Sequence, residues 1–351
     1  METKLTKKYG LVTAIAMVVG IVIGSGVFFK AEAILKATGG NLPLGILAWA
    51  IGGVIMAVCA CAFAVMATKY EYVNGVVDYA DVTVGKRYGY YVGWFLATIY
   101  CPTLTSVLAW VSARYLCVLI GFDIVGPECM VISMFFLVMS YVMNALAPRF
   151  AGKFQVSTTV IKLIPIGLMA IVGTITGLSN GMTAANFAVA AADTAAGLTP
   201  LFKAVVATAF AYEGWILATS INAELKNAKR NLPIALVSGA VVIIVTYILY
   251  YIGVAGGVDK TVMMESGENG ARIAFSNIFS EVGGAILFVF IVISCLGTLN
   301  GLMMACTRGF YALAARGVGP RPEVVGQVDD KTNMPANAAA VGLAFAAFWL
   351  L

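Results

Sequence analysis

The sequence predicts an all-α membrane protein whose first and sixth spans are each interrupted at membrane depth. Three observations lead there. First, 61% of the 351 residues are hydrophobic and only 11% are charged, where a soluble domain carries roughly 25% charged residues. Second, the apolar residues come in runs long enough to cross a bilayer, which takes about 20 residues of helix. Third, two of those runs contain residues that a continuous helix disfavours, Gly24-Ser25-Gly26 in one and Tyr212-Glu213-Gly214 in the other.

Taken in order, the runs are Leu11–Phe29, Leu42–Ala67, Tyr90–Ile120, Met130–Ala147, Val156–Leu178, Leu201–Ile221, Leu232–Val258 and Gly283–Ala315. A ninth, Ala336–Leu351, is 16 residues long when the chain stops, which predicts a fold truncated in the ninth span. The run after the short basic segment Met1–Tyr9 lacks a small-residue cleavage site, so it reads as a first span and not as a removed signal peptide. The third and eighth runs exceed the bilayer thickness and should tilt or protrude. Pro102 and Pro165 should kink their spans.

Orientation follows from loop charges. One set of alternate loops holds Lys4, Lys7, Lys8, Lys69, Lys86, Arg87, Arg149, Lys153, Lys226, Lys229, Arg230, Arg316, Arg321 and Lys331; the other holds only Lys30, Lys36, Lys203, Lys260 and Arg272. The N-terminus is therefore expected in the cytoplasm, in a multi-pass protein of the cell membrane. The net charge of +5 is scattered between apolar runs, which speaks against nucleic-acid binding. The seven cysteines form no CxxC pair and read as small membrane-core residues.

The interruptions carry the functional reading. In hydrocarbon every backbone N–H and C=O needs a partner, so a broken helix persists only where it lines a cavity or a ligand. The two halves then aim opposite ends of their dipoles at the gap. Gly20 and Gly24 also have the spacing of a helix-packing face, which is an alternative account of the first break. The second break repeats the first at a similar place in a second half of the chain. Paired breaks in spans one and six are the signature of an inverted-repeat transporter with its substrate between them. Two repeats are expected, residues 1–180 with spans one to five and residues 200–351 with spans six to nine.

The charged residues within the runs are few. Glu213 stands at a depth where a carboxylate must be paired, wetted or protonated; it is a pocket residue or one held structurally by a neighbouring helix. Lys162 lies about 9 Å into the fifth span from Val156 at the helical rise, and either snorkels or braces the spans around it. Arg114 is a pocket residue, a partner for Glu213 or a snorkelling group. Arg308 is expected to snorkel from the inner end of the eighth run. The inner segment with Asp78, Asp81, Lys86 and Arg87 reads as a solvated amphipathic stretch, the loop Asn222–Pro233 as a cytoplasmic linker with Pro233 starting a helix, and Asp259–Glu281 as an outer stretch with a short surface helix.

No histidine occurs, which removes histidine-based zinc sites, Ser-His hydrolysis and histidine proton relays. A dyad of carboxylates is missing as well, so an intramembrane enzyme is not expected, nor a metal or cofactor. A channel would want rings of repeated polar residues, and the sequence offers none.

The stretches IGSGVF at 23–28, FAYEGW at 210–215 and ELKNAKRNLPIA at 224–235 resemble the amino acid–polyamine–organocation superfamily, closest to its L-type amino acid transporter branch and bacterial exchanger relatives. The resemblance runs from Leu11 to the end. It implies a LeuT-like five-plus-five inverted-repeat fold and sodium-independent amino acid transport by alternating access, as an exchanger or with proton linkage. Gly24, Ser25 and Gly26 would hold the substrate carboxylate through backbone N–H groups. Carbonyls at Ile21, Phe210 and Ala211 would take the ammonium, and Phe210 would close over the substrate from outside.

Lys162 would stand where sodium-coupled cousins hold a sodium ion, bracing the first span against the fifth; its own proton leaves proton coupling open. Glu213 departs from the family, which often has a small residue or Asp there, and implies either a preference for cationic side chains or the coupling proton's site. An amine or polyamine permease, or a truncated non-transporting relative, is the alternative. The animal L-type branch links a partner glycoprotein through a cysteine between spans three and four; the short connection Gly121–Cys129 implies that no obligatory partner subunit is needed here.

Overall fold

The computed structural model describes residues 7, 9–70, 75–188, 198–266 and 269–351. It is all-α: the described residues hold no strand, only one isolated parallel bridge between Tyr9 and Leu225. Lys4 and Lys8, which enter the orientation argument, lie outside the described residues.

The first apolar run divides into α1 (Leu11–Val22) and α2 (Gly26–Ala37). Next come α3 (Leu42–Lys69), the short α4 (Val76–Thr83), α5 (Lys86–Ile120), α6 (Pro127–Leu146), α7 (Pro148–Ser179) and α8 (Met182–Phe187). The second half opens with α9 (Thr199–Ala209), followed after a break by a 3₁₀ segment, Trp215–Glu224. It continues with α10 (Ala228–Gly257), α11 (Lys260–Glu265), α12 (Gly270–Ala315), α13 (Pro322–Val325) and α14 (Ala336–Leu350). Six of these are long and apolar enough to cross a membrane, and α1, α9 and α14 are shorter apolar helices. The chain is thus a multi-pass membrane protein.

Both proline sites sit beside a widened turn. In α5 the residues Leu96–Tyr100 form a π-helical turn just before Pro102. Proline cannot donate to the carbonyl four residues back, which is that of Thr98, and the Trp349 indole N–H from α14 takes it instead at 2.8 Å. The other π-helical turn, Met169–Gly173 in α7, follows Pro165. Polar side chains join the helices where no water is at hand. Asn144 of α6 donates to Asn300 of α12 at 2.9 Å, and Asn300 donates to Gln155 of α7 at 3.1 Å.

Helices α7 and α10 approach so closely that backbone touches backbone. A Cβ on Gly253 would strike the Met169 carbonyl, and one on Gly256 the Gly173 carbonyl. Neither obstacle is a side chain able to turn away. Gly253→Val should therefore force the two helices apart and cost about 1–3 kcal/mol, as overpacking does. A lowered melting temperature of the purified protein in detergent checks this.

Several sequence expectations need correction. The helix of the seventh run starts at Ala228, not at Pro233, because the Arg230 and Asn231 amides already bond the Asn227 carbonyl and the Asn231 side chain bonds that of Lys226. Pro233 lies inside it. The linker before it packs into the fold, with Asn222, Glu224 and Leu225 buried. Helix α12 is two helices joined across a kink where Phe279 and Ser280 leave helical geometry, Ser280 at φ 68°, so its second part covers the eighth run from close to Gly283. The lower part of the sixth run is 3₁₀ and not α-helical, with Thr219 bonding back to the Ile216 carbonyl at 2.7 Å in keeping with the tighter turn. The amphipathic inner stretch does form α4, which buries Val77 and Tyr79 while Asp78 and Asp81 meet Arg316, just past the end of α12.

Candidate binding site between two broken helices

Helix α1 ends at Val22 and α2 begins at Gly26, so three residues separate a helix C-terminus from a helix N-terminus. The Gly24 amide bonds the Val22 carbonyl at 2.9 Å, closing the turn. The first N–H groups of α2 have no acceptor within their own helix, and they point into the gap with the positive end of its dipole. Across from them the chain breaks again from Phe210 to Gly214. There Gly214 takes φ 99°, a left-handed geometry that suits glycine.

The two breaks bound one small cavity. Ile21, Gly24, Ser25, Gly26, Phe210 and Glu213 all line it, joined by Leu104 and Leu108 of α5 and by Thr298 and Leu302 of α12. Its free volume is about 30 Å³, room for about two water molecules. Six of the seven residues expected to bind substrate thus share one cavity. Ala211 does not line it: its carbonyl accepts the Tyr247 hydroxyl at 2.9 Å, and its Cα stands 3.0 Å from where a Cβ on Gly26 would be.

Lys162 is fully buried and reaches the end of α1. Its ammonium donates to the carbonyls of Gly20 at 2.9 Å and Ile23 at 2.5 Å, and to the Thr298 hydroxyl at 3.2 Å. Thr298 in turn donates to Gly20, and Ser294 to the Gly24 carbonyl at 3.2 Å. The carbonyls that a continuous helix would have satisfied are held by a cation and two hydroxyls. This is the bracing geometry and not snorkelling, since the whole side chain points inward. Gly20 also serves packing: a Cβ there would collide with Thr159 and Gln155 of α7. The packing face and the break are therefore adjacent parts of one helix end.

Tyrosines complete the frame, and sequence reasoning missed them. The Tyr247 hydroxyl of α10 donates to carbonyls from both breaks, Val22 at 3.2 Å and Ala211 at 2.9 Å. Tyr212 donates to the Trp49 carbonyl at 2.9 Å, and the rings of Trp49, Tyr212 and Tyr247 pack together with centroids 5.2–5.6 Å apart. Glu213 is exposed; its carboxylate accepts the Tyr100 hydroxyl and the Gly214 amide at 3.1 Å. Its hydrogen-bond partner from another helix is therefore Tyr100 of α5, not Arg114. A tyrosine in an apolar run has no signature beyond hydropathy, so neither Tyr100 nor Tyr247 stood out.

On the face away from the N-terminus, a larger cavity of about 390 Å³ opens beyond Phe210, which lines both. Arg114 lines this second cavity, its guanidinium 4.6 Å from the centre of the Trp110 ring. Elsewhere a strap ties the N-terminal segment to the loop after the second break. The Tyr9 amide bonds the Glu224 carbonyl at 3.0 Å, and the Lys226 amide bonds the Tyr9 carbonyl at 2.9 Å. Beneath the strap Arg308 is buried, not snorkelling: its Nε donates to Glu224 Oε1 at 2.7 Å, and its guanidinium lies 6.0 Å from the centre of the Tyr9 ring. A buried carboxylate within reach satisfies the guanidinium better than a stretch toward headgroups would.

Comparison with known proteins agrees with this architecture. Residues 9–351 match the family model described as amino acid permease. The serine/threonine exchanger SteT of Bacillus subtilis (strain 168) is 29% identical over 350 residues, 100% of this chain and 78% of that protein. The human cystine/glutamate transporter is 23% identical over 342 residues, 97% of this chain and 67% of its own length. Human b(0,+)-type amino acid transporter 1 is 26% identical over 322 residues, 90% and 64% respectively. With a family match across almost its whole length and two broken helices around one cavity, this chain belongs to the amino acid permease family of the amino acid–polyamine–organocation superfamily.

Proposed function

We propose that the protein is a sodium-independent amino acid transporter of the cell membrane, an exchanger working by alternating access, with its N-terminus in the cytoplasm. The observation that carries this reading is the opposition of two helix ends across one cavity. The α2 N-terminus at Ser25 and Gly26 offers N–H groups to a carboxylate. The end of α1 at Ile21 and the backbone at Phe210 offer carbonyls to an ammonium. A free α-amino acid carries both groups. Because Ile21 and Phe210 line the cavity and Ala211 does not, the ammonium falls to Ile21 and Phe210. Residues 1–180 and 200–351 form the two inverted repeats, each opening on a broken span. The names of the relatives, which include an exchanger and several amino acid transporters, support the same reading. No step makes or breaks a covalent bond, so no catalytic residue is required, and no partner subunit enters the scheme.

Lys162 supports sodium independence, since its ammonium already occupies the carbonyl cluster at the end of α1. Glu213 favours a second feature: a carboxylate at the cavity prefers substrates with cationic side chains or amines, or carries the coupling proton. In the proton-linked case uptake rises as external pH falls, and Glu213→Gln flattens that dependence. An unaltered pH profile in Glu213→Gln assigns the residue to side-chain selection instead. The reading as a whole is tested by counterflow in proteoliposomes loaded with each amino acid in turn, with and without sodium. Exchange of a defined set, unchanged by sodium, is expected. A folded protein that exchanges none of them contradicts the proposal.

A further inference from the structure

Helix α10 buries three tyrosines close together, Tyr247, Tyr250 and Tyr251. The hydroxyls of Tyr250 and Tyr251 have no hydrogen-bond partner among the described residues. That of Tyr247 has two acceptors, the carbonyls of Val22 at 3.2 Å and Ala211 at 2.9 Å. A phenol has one proton to donate, so the first break and the second share it. The Val22 carbonyl also accepts the Gly24 amide at 2.9 Å. Among the described residues the Ala211 carbonyl accepts from Tyr247 alone, so the second break depends on this hydroxyl more than the first does.

Both carbonyls stand next to groups that the proposed site uses. Val22 follows Ile21 and Ala211 follows Phe210, the two residues whose carbonyls are assigned to the substrate's ammonium. Ala211 also abuts the carboxylate side: its Cα is 3.0 Å from where a Cβ on Gly26 would be, so the two breaks meet backbone to backbone there. The ring that carries the hydroxyl is itself held, packed against those of Trp49 and Tyr212 with both centroids 5.2 Å away. The hydroxyl is thus a fixed point from which both breaks are spaced.

We propose that Tyr247 is a positioning residue for substrate recognition. Its hydroxyl sets the spacing between the N–H groups at Ser25 and Gly26 and the carbonyls at Ile21 and Phe210, and so selects α-amino acids over their β homologues. An α-amino acid separates its carboxylate and ammonium by one carbon, a β-amino acid by two. Backbone groups on two separate helix breaks discriminate between them only if the breaks keep a fixed distance. This rests on the amino acid reading above and adds the residue that enforces the α geometry.

The test is competition binding in the detergent-purified protein. Radiolabelled L-alanine, L-leucine and L-lysine are each displaced by the unlabelled amino acid and by its β homologue with the same side chain. For whichever of the three binds, wild-type protein should favour the α form by about 100-fold. Tyr247→Phe, which keeps the ring, should weaken the α form roughly tenfold or more and bring the ratio to about ten or below. Tyr250→Phe and Tyr251→Phe, which remove hydroxyls without partners, should keep the wild-type ratio. A merely structural role would weaken both forms alike, so an unaltered ratio in Tyr247→Phe overturns the proposal, as does a wild-type protein that binds both homologues equally. Should Tyr247→Phe fail to fold, 3-fluorotyrosine at 247, a stronger donor, should change the ratio, and an unchanged ratio overturns the proposal. Folded wild-type protein that binds none of the three overturns the amino acid reading itself, and this inference with it.

Discussion

Lys162→Met should reduce amino acid exchange by about two orders of magnitude while leaving a folded protein. Methionine keeps most of the buried stem, so the packing between α1 and α7 survives. What disappears is the ammonium and its bonds to Gly20, Ile23 and Thr298. Hydrogen bonds involving a charged group contribute about 1.5–3 kcal/mol each, and the carbonyls left behind are buried, with only Thr298 and Ser294 to satisfy them. The end of α1 then loses the geometry on which the substrate's ammonium depends. Lys162→Ala should be worse, because it adds a cavity at a fully buried position, costing about 2–5 kcal/mol. Exchange rates at matched protein incorporation measure the first effect, and melting temperatures separate it from the second. A Lys162→Met protein exchanging at the wild-type rate would refute the bracing role.

The second large effect concerns the buried pair under the strap. Glu224→Leu leaves the Arg308 guanidinium in the interior without its carboxylate, which costs about 3–5 kcal/mol. Replacing both partners by apolar residues, as in Glu224→Leu/Arg308→Met, should recover most of that stability, because the desolvation cost of the pair disappears with it. The two changes therefore should not add, and a double-mutant cycle on melting temperature measures the coupling. Additive losses would show that the pair contributes nothing as a pair. Transport gives an independent readout. The pair joins α12 to the loop that carries the strap from Tyr9 to Leu225, so the apolar double variant should fold well and yet alter the balance between closed and open states of that face.

What the sequence made legible was whatever hydrocarbon makes expensive. Glycine and serine together in mid-span, or a carboxylate beside a glycine, have few innocent explanations, so both breaks and the cavity between them could be read in advance. Lys162 was legible by depth, though only the structure distinguishes bracing from snorkelling. Arg308 and Glu224 were not, because they are 84 residues apart and each looks ordinary alone: an arginine near a membrane face and an acid in a basic loop. The role of Tyr247 escaped for another reason. Its hydroxyl matters because it reaches two carbonyls that exist only once both helices have broken. The weight given to Pro233 misplaced a helix start, since a membrane helix can hold a proline within its length.

The central claim is that this protein holds an amino acid by its two backbone charges, carboxylate at Ser25 and Gly26 and ammonium at Ile21 and Phe210. The most direct measurement is competition for a bound radiolabelled amino acid in the detergent-purified protein, using three unlabelled competitors: the same amino acid, its α-carboxamide and its N-acetyl derivative. A site built to hydrogen-bond a group rejects an analogue lacking it by as much as about 10⁴-fold. The account predicts that the free amino acid competes while both derivatives are weaker by at least about 100-fold. Equal competition by all three would place recognition in the side chain alone and contradict the account.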